Sequence, residues 1–234
     1  MIGFDADDTL WHNERLYENA QARFKQLLMQ YHDGDWIDAH LYQTEMKNLK
    51  HFGYGIKSFA LSMIESAVEL TEGRISGDDI QVIIQTAHDM LTADVELLPH
   101  VADVIPLLAC RYPLMVITKG DLLDQESKMA RSGLAGYFRH MEVVSDKTEQ
   151  HYARLLHQHD ILPERFLMVG NSLRSDILPV LALGGMAVHV PHALTWAHEN
   201  ADLPAGSAEF YELEHLGLLP ALVETLENQG VIGA

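Results

Sequence analysis

The chain holds a single cysteine, Cys110, set in an apolar stretch. A lone cysteine cannot close an intramolecular disulfide, which points to a reducing compartment. No segment approaches the roughly 18 consecutive apolar residues that a membrane span needs. The opening Met-Ile-Gly-Phe-Asp carries no basic segment and meets a carboxylate at position 5, so no signal peptide is expected and the cytoplasm is the expected location. Basic residues are scarce: 16 Lys+Arg stand against 34 Asp+Glu, a formal charge of −18. With no basic stripe to offset it, that surface repels nucleic acid and anionic lipid, and neither is an expected partner. Only 8 Pro and 16 Gly occur in 234 residues, and 47% of the chain is apolar, which excludes collagen-like and disordered chains. What remains is a globular chain long enough to bury a core without covalent staples. An anionic substrate would need a local feature that overrides the global field.

What is present is a change of hydrophobic period. Residues 2–4 form a short apolar run that ends in Asp5. From about 14 to 95 the pattern is helical: Leu16, Ala20, Phe24, Leu27 and Tyr31 keep 3.6-type spacing, as do Ile80, Ile83, Ile84, Ala87 and Met90. Breaks at 33–35, 51–55 and 73–78 divide this stretch into four helices. After Leu98-Pro99, short apolar runs alternate with helical patterns. Strands are expected near 113–117, 141–144, 166–169 and 186–190, and helices near 100–110, 121–132, 148–159, from about 173 to 183, and 218–228. Alternation of this kind means parallel pairing with both faces covered. The expected fold is α/β: an open, mainly parallel Rossmann-like sheet with helices on both faces, formed by residues 1–13 and 96–234. A small all-helical domain, 14–95, interrupts it.

Ligands of open α/β sheets bind beyond the carboxyl ends of the strands. Here those ends carry polar residues in a set order. The first strand runs into Asp5-Ala6-Asp7-Asp8-Thr9, the second ends in Thr118-Lys119, Lys147 follows a short strand, and Gly170-Asn171 precedes Asp176. An aspartate after a strand is ordinarily a turn former or a helix cap. The coincidence of all four positions carries the signal.

This set resembles the haloacid dehalogenase (HAD) superfamily. Its Asp-x-Asp-x-Thr motif is matched by Asp5, Asp7 and Thr9, its Ser/Thr by Thr118, and its lone lysine by Lys147, with Lys119 and Lys128 also nearby in sequence. Its Gly-Asp-x4-Asp motif is matched by Gly170, Asn171 and Asp176, with Asn171 in place of the first Asp. Asp8 stands where Gly is commoner and reads as a tolerated turn residue. The resemblance implies a Mg²⁺-dependent phosphatase of small phosphorylated metabolites, with residues 14–95 as a cap domain. By the same resemblance Asp5 is the nucleophile that forms an aspartyl-phosphate, and Asp7 the general acid and base. Thr118 and the N–H of Lys119 hold phosphoryl oxygens, and Lys147 offsets charge on Asp5 and on the substrate. Asp5, the carbonyl of Asp7, Asn171 and Asp176 surround the metal. A hard divalent ion suits a carboxylate-rich site for a dianion and supplies the local override. Crowding by carboxylates is expected to favour protonated Asp7, as a general acid requires.

Dehalogenases of the superfamily lack a carboxylate at the position of Asp7, because displacing halide needs no proton donor. The 2-haloacid dehalogenase remains an alternative, as does a phosphonatase using a cap lysine (Lys25, Lys47, Lys50 or Lys57) or a non-catalytic member with metal binding weakened at Asn171. A receiver domain, in which the acidic pair precedes a separate acceptor aspartate in a chain of half this length, fits poorly. Of the 14 His, the groups 157/159 and 189/192/198 have no metal-site spacing and read as surface or supporting residues. The basic, aromatic segment from Lys50 to Lys57 is either an inter-helix turn or a reader of the leaving group.

Overall fold

The computed structural model describes residues 1–194, 196, 199, 201–202 and 209–231. It falls into two compact units: residues 1–14, 95–118 and 126–234, and residues 15–94 with 119–125.

The first unit is built on a six-stranded sheet: β1 (Ile2–Phe4), β2 (Leu114–Lys119), β3 (His140–Val144), β4 (Leu167–Gly170), β5 (Met186–His189) and β6 (Phe210–Glu212). The spatial order is β3-β2-β1-β4-β5-β6. β1 lies parallel to both β2 and β4, with Phe4 opposite Val116 and Val169. Period-two alternation separates the two faces. Ile2, Phe4, Leu114, Val116, Leu167, Val169, Met186 and Val188 enter one core, with Val101, Val104, Ile105 and Leu108 of α5 (Val101–Ala109) and Leu219 and Val223 of α9 (Leu219–Asn228). Met115, Ile117 and Met168 enter the other, with Tyr152, Leu155 and Leu156 of α7 (Glu149–Gln158) and Val180 of α8 (Leu178–Ala182). Gly3 points to this second face, where a Cβ would lie 2.5 Å from the Phe166 ring. Only glycine allows the central strand to pack there.

Two features differ from the periodicity. β6 is three residues long and partly exposed, too short to alternate visibly, and its pairing with β5 defines it. The segment expected to be a plain helix from about 173 to 183 opens as a wide π-turn, Leu173–Ile177, before α8.

The second unit holds α1 (Glu14–Leu28), α2 (Gly34–Phe52), α3 (Ile56–Leu70) and α4 (Gly77–Thr92). Ala20, Phe24 and Leu28 of α1 pack with Ile37, Leu41, Phe59, Met63, Ile83, Ala87 and Met90. Asp33 and Ser76 cap α2 and α4 by accepting the N–H groups of Trp36 and Asp79. The residues read as breaks are therefore helix starts. α6 (Leu122–Ser132) begins among residues of this unit and continues in the first.

Candidate active site

The strand order 3-2-1-4-5-6 reverses direction between β1 and β4, and ligands of such sheets bind at this switch point. Asp5 follows β1, and Asn171 and Asp176 follow β4, so the topology brings them to the same crevice. Lys147, which follows β3, reaches them from the loop before α7. Its ammonium donates to Asp5 Oδ1 and, at 2.7 Å, to Asp176 Oδ1. Lys147 and Asp176 are 3% and 0% exposed, so this is an interior contact.

The remaining oxygens of the cluster are held as well. Thr9 Oγ1 lies 3.0 Å from Asp5 Oδ2 and 3.3 Å from Asn171 Oδ1. The Ser172 N–H donates to Asp176 Oδ2 at 3.0 Å. The π-turn folds Asp176 back onto its own strand end, and Gly170 makes room, since a Cβ there would lie 2.2 Å from Asp176 Oδ2. Insertions of this kind recur at functional sites because they re-aim one side chain.

One ammonium thus serves two buried carboxylates. Burial pushes the Asp5 pKa up to about 7, Lys147 pulls against that rise, and Asp176 and Asp7 add to it. Burial also works against the Lys147 charge, but Asp176 and Asp5 outweigh it and its pKa is raised. Asp5, Asp176 and Asn171 offer hard oxygen donors, and the cluster has one more negative than positive charge. Such a donor set fits Mg²⁺.

Asp7 belongs to a second network. Its Oδ1 accepts from Trp11 Nε1 at 2.8 Å and from Lys128 Nζ at 3.0 Å, and Lys128 also donates to Asn13 Oδ1 at 2.9 Å. Where the sequence suggested only neighbouring carboxylates around Asp7, the structure places two hydrogen-bond donors on it. Asp8 takes a left-handed conformation, φ 60°, as a turn aspartate can. Its carboxylate accepts the N–H groups of Asn13 and Glu14 at 2.9 and 3.0 Å, so it also caps the start of α1. Burial raises its pKa, with the Asn13 N–H opposing.

Thr118 is buried at the end of β2, two positions past Val116, the register partner of Phe4. Lys119 groups with the helical unit, where its ammonium sits 4.3 Å from the centre of the Tyr54 ring. Lys57 of the same turn region pairs with Asp121 at 2.8 Å. Among the histidines, His189 contacts the Asn171 carbonyl at 3.1 Å and Glu212 at 3.0 Å, a supporting position. His198 lies outside the described residues. Asp8, His12 and His192 place ligand atoms within 4.8 Å of one another. Two imidazoles suit a borderline transition ion rather than magnesium, and the Asp8 carboxylate is committed to N–H donors.

Sequence reasoning passed over Trp11, Asn13 and Lys128 as a group. A signal for Lys128 existed: it sits beside Met129 on the buried stripe of α6, three residues after buried Gln125. A lysine on a core face needs a partner.

Sheet order and site together define a doubly wound α/β protein with an acidic cluster at its switch point. The family model of haloacid dehalogenase-like hydrolases matches residues 1–184. The chain belongs to that family and is a hydrolase. It shares 44% identity with a haloacid dehalogenase-like family hydrolase from Xanthomonas campestris, at a TM-score of 0.87 over 97% of this chain and 91% of the other. A 2-haloacid dehalogenase from Pseudomonas syringae is 20% identical, with a TM-score of 0.64 over 96% of this chain and 97% of that one. A HAD phosphatase from Thermococcus onnurineus is 17% identical, with a TM-score of 0.63 over 95% and 96%. The last two share the fold and differ in their named activities. No curated protein matches the chain, and no helix among the described residues is long and apolar enough to cross a membrane.

Proposed function

We propose that this hydrolase is a Mg²⁺-dependent phosphatase of small phosphomonoesters. The observation that carries the reading is a carboxylate, Asp7, two residues after the nucleophile position, where a phosphatase needs a proton donor and a dehalogenase does not. In this reading Asp5 attacks phosphorus and forms an aspartyl-phosphate as the ester bond breaks. Asp7 gives its proton to the departing alkoxide, then takes one from the water that cleaves the acyl phosphate and regenerates Asp5. Thr118 and the Lys119 N–H hold the phosphoryl oxygens. Lys147 favours the anionic form of Asp5 and offsets the charge that accumulates on the transferred group. Mg²⁺ would be held by Asp5, the carbonyl of Asp7 and Asp176, with Asn171 beside it, and would neutralise phosphate charge.

The test is release of phosphate from a panel of phosphorylated metabolites and from p-nitrophenyl phosphate, with Mg²⁺ and with EDTA, in wild type and Asp5→Asn. Metal-dependent turnover that disappears in folded Asp5→Asn supports the reading. Chloride release from 2-chloropropionate without phosphate release overturns it in favour of the dehalogenase.

A further inference from the structure

Lys128 has no part in the chemistry described so far, yet it is buried. It is 5% exposed on α6, and its ammonium touches Asp7 Oδ1 and Asn13 Oδ1. Taking an ammonium out of water costs several kcal/mol unless partners replace the lost hydration. A lysine needed only to fix α6 would be better replaced by an apolar residue such as its neighbour Met129. Its position is explained by what it holds. Trp11 Nε1, from the loop that carries Asp7, and Lys128 Nζ, from α6, converge on the same carboxylate oxygen of Asp7. Two donors on Oδ1 fix both side-chain torsions of an aspartate and make its two oxygens inequivalent. In the protonated form of a carboxyl group held in this way, the doubly hydrogen-bonded oxygen is the acceptor and Oδ2 is the hydroxyl oxygen.

We infer that Lys128 is a positioning residue for Asp7: with Trp11, it clamps Oδ1 so that Oδ2 is the atom that exchanges the proton with the leaving oxygen. Resting on the phosphatase reading, this assigns Lys128 an effect that depends on the leaving group. Aryl oxides depart with little help, whereas alkoxides need the proton as the bond breaks. The parameter to read is kcat/KM, which covers events up to formation of the aspartyl-phosphate.

The experiment compares Lys128→Met with wild type on p-nitrophenyl phosphate and on an alkyl phosphate that the wild type hydrolyses. A positioned general acid contributes about 10²–10⁴-fold, so the alkyl ester is expected to lose about 30-fold and the aryl ester less than about threefold. In an Asp7→Asn background the Lys128→Met change is expected to add almost nothing, since both act through one group. Lys128→Arg is expected to restore part of the alkyl activity. Equal losses on both esters, or full additivity with Asp7→Asn, overturn the assignment and leave Lys128 a packing residue. A second readout needs no turnover: the indole N–H resonance of Trp11, identified with Trp11→Phe, should move in Lys128→Met and return towards its wild-type position in Lys128→Arg. If it stays in place, the clamp is refuted. If it moves while the wild type hydrolyses no phosphate ester, the phosphatase reading fails and the clamp stands. Should Lys128→Met not fold, Lys128→Gln, which keeps a donor without the charge, gives the same two readouts.

Discussion

Replacing Asp5 by Asn should stabilise this protein at neutral pH and do so progressively less as the pH falls. The Asp5 pKa rises from 3.8 to about 7 on folding, chiefly because the side chain is buried. A carboxyl group that is easier to protonate when folded binds more protons in the native state than in the unfolded one. Stability therefore falls as the pH rises from about 4 to about 7, and the whole penalty is present above 7. Three pKa units correspond to about 4 kcal/mol, an upper figure because the neighbouring carboxylate and lysine readjust. The substituted amide has the same shape as the carboxylate and no charge, and it leaves Lys147 paired with Asp176 at 2.7 Å. The variant should match wild type near pH 4 and exceed it by up to about 4 kcal/mol at pH 8, a rise of roughly 10 °C in Tm for a chain of this size. Urea unfolding of both proteins in EDTA across this range measures the difference, and the charge of −18 cancels because both carry nearly all of it. A difference that is flat with pH, or that favours wild type as the pH rises, would refute the placement of excess negative charge on Asp5.

Two other substitutions read the same cluster. Mg²⁺ at a hundred times its dissociation constant should stabilise wild type by about 2.7 kcal/mol, and Asp176→Asn should remove most of that gain; equal stabilisation of both proteins in thermal melts would take Asp176 out of the ion's surroundings. In Gly170→Ala the new methyl must displace the Asp176 carboxylate, which it would otherwise meet at 2.2 Å. Overpacking of this kind costs about 1–3 kcal/mol, and the variant should lose activity well beyond what its remaining folded fraction accounts for; kinetics at a temperature where it is fully folded decide this.

The parts of the site that the sequence exposes are those fixed by strand ends. Asp5, Thr118 and Asn171 each close a short apolar run, so reading the runs as parallel strands places these residues at one edge without further information. Lys147 follows from order along the chain. Side chains that cross between elements are harder to read. Lys128 and Lys147 are both lysines after the second strand, and only the three-dimensional path of α6 shows that one meets Asp7 and the other Asp5. The π-turn was equally hidden, because the Ser172 contacts that accompany it, to the Asp176 carboxylate and from the Ser175 N–H, leave no periodic mark in the sequence. β6 owes its conformation to β5, and three residues carry no period of their own.

The two lysines also show how the first motif divides its charge. Lys128 lies 3.0 Å from Asp7, so the proposed proton-handling position has a cation beside it. Asp5 and Asp176 share Lys147, so the excess negative charge is concentrated at the Asp5 end, the proposed nucleophile. Under the proposed phosphatase reading that asymmetry has a use. A cation would be drawn to the under-compensated pair, and the same end would then accept a phosphate dianion against the field of an acidic protein. An arrangement with Lys128 and Lys147 both on Asp5 would neutralise that carboxylate, removing what would attract a metal, and would leave Asp7 held by Trp11 alone. Separating the two lysines keeps the proposed metal-attracting and proton-transfer positions, Asp5 and Asp7, two residues apart on one loop.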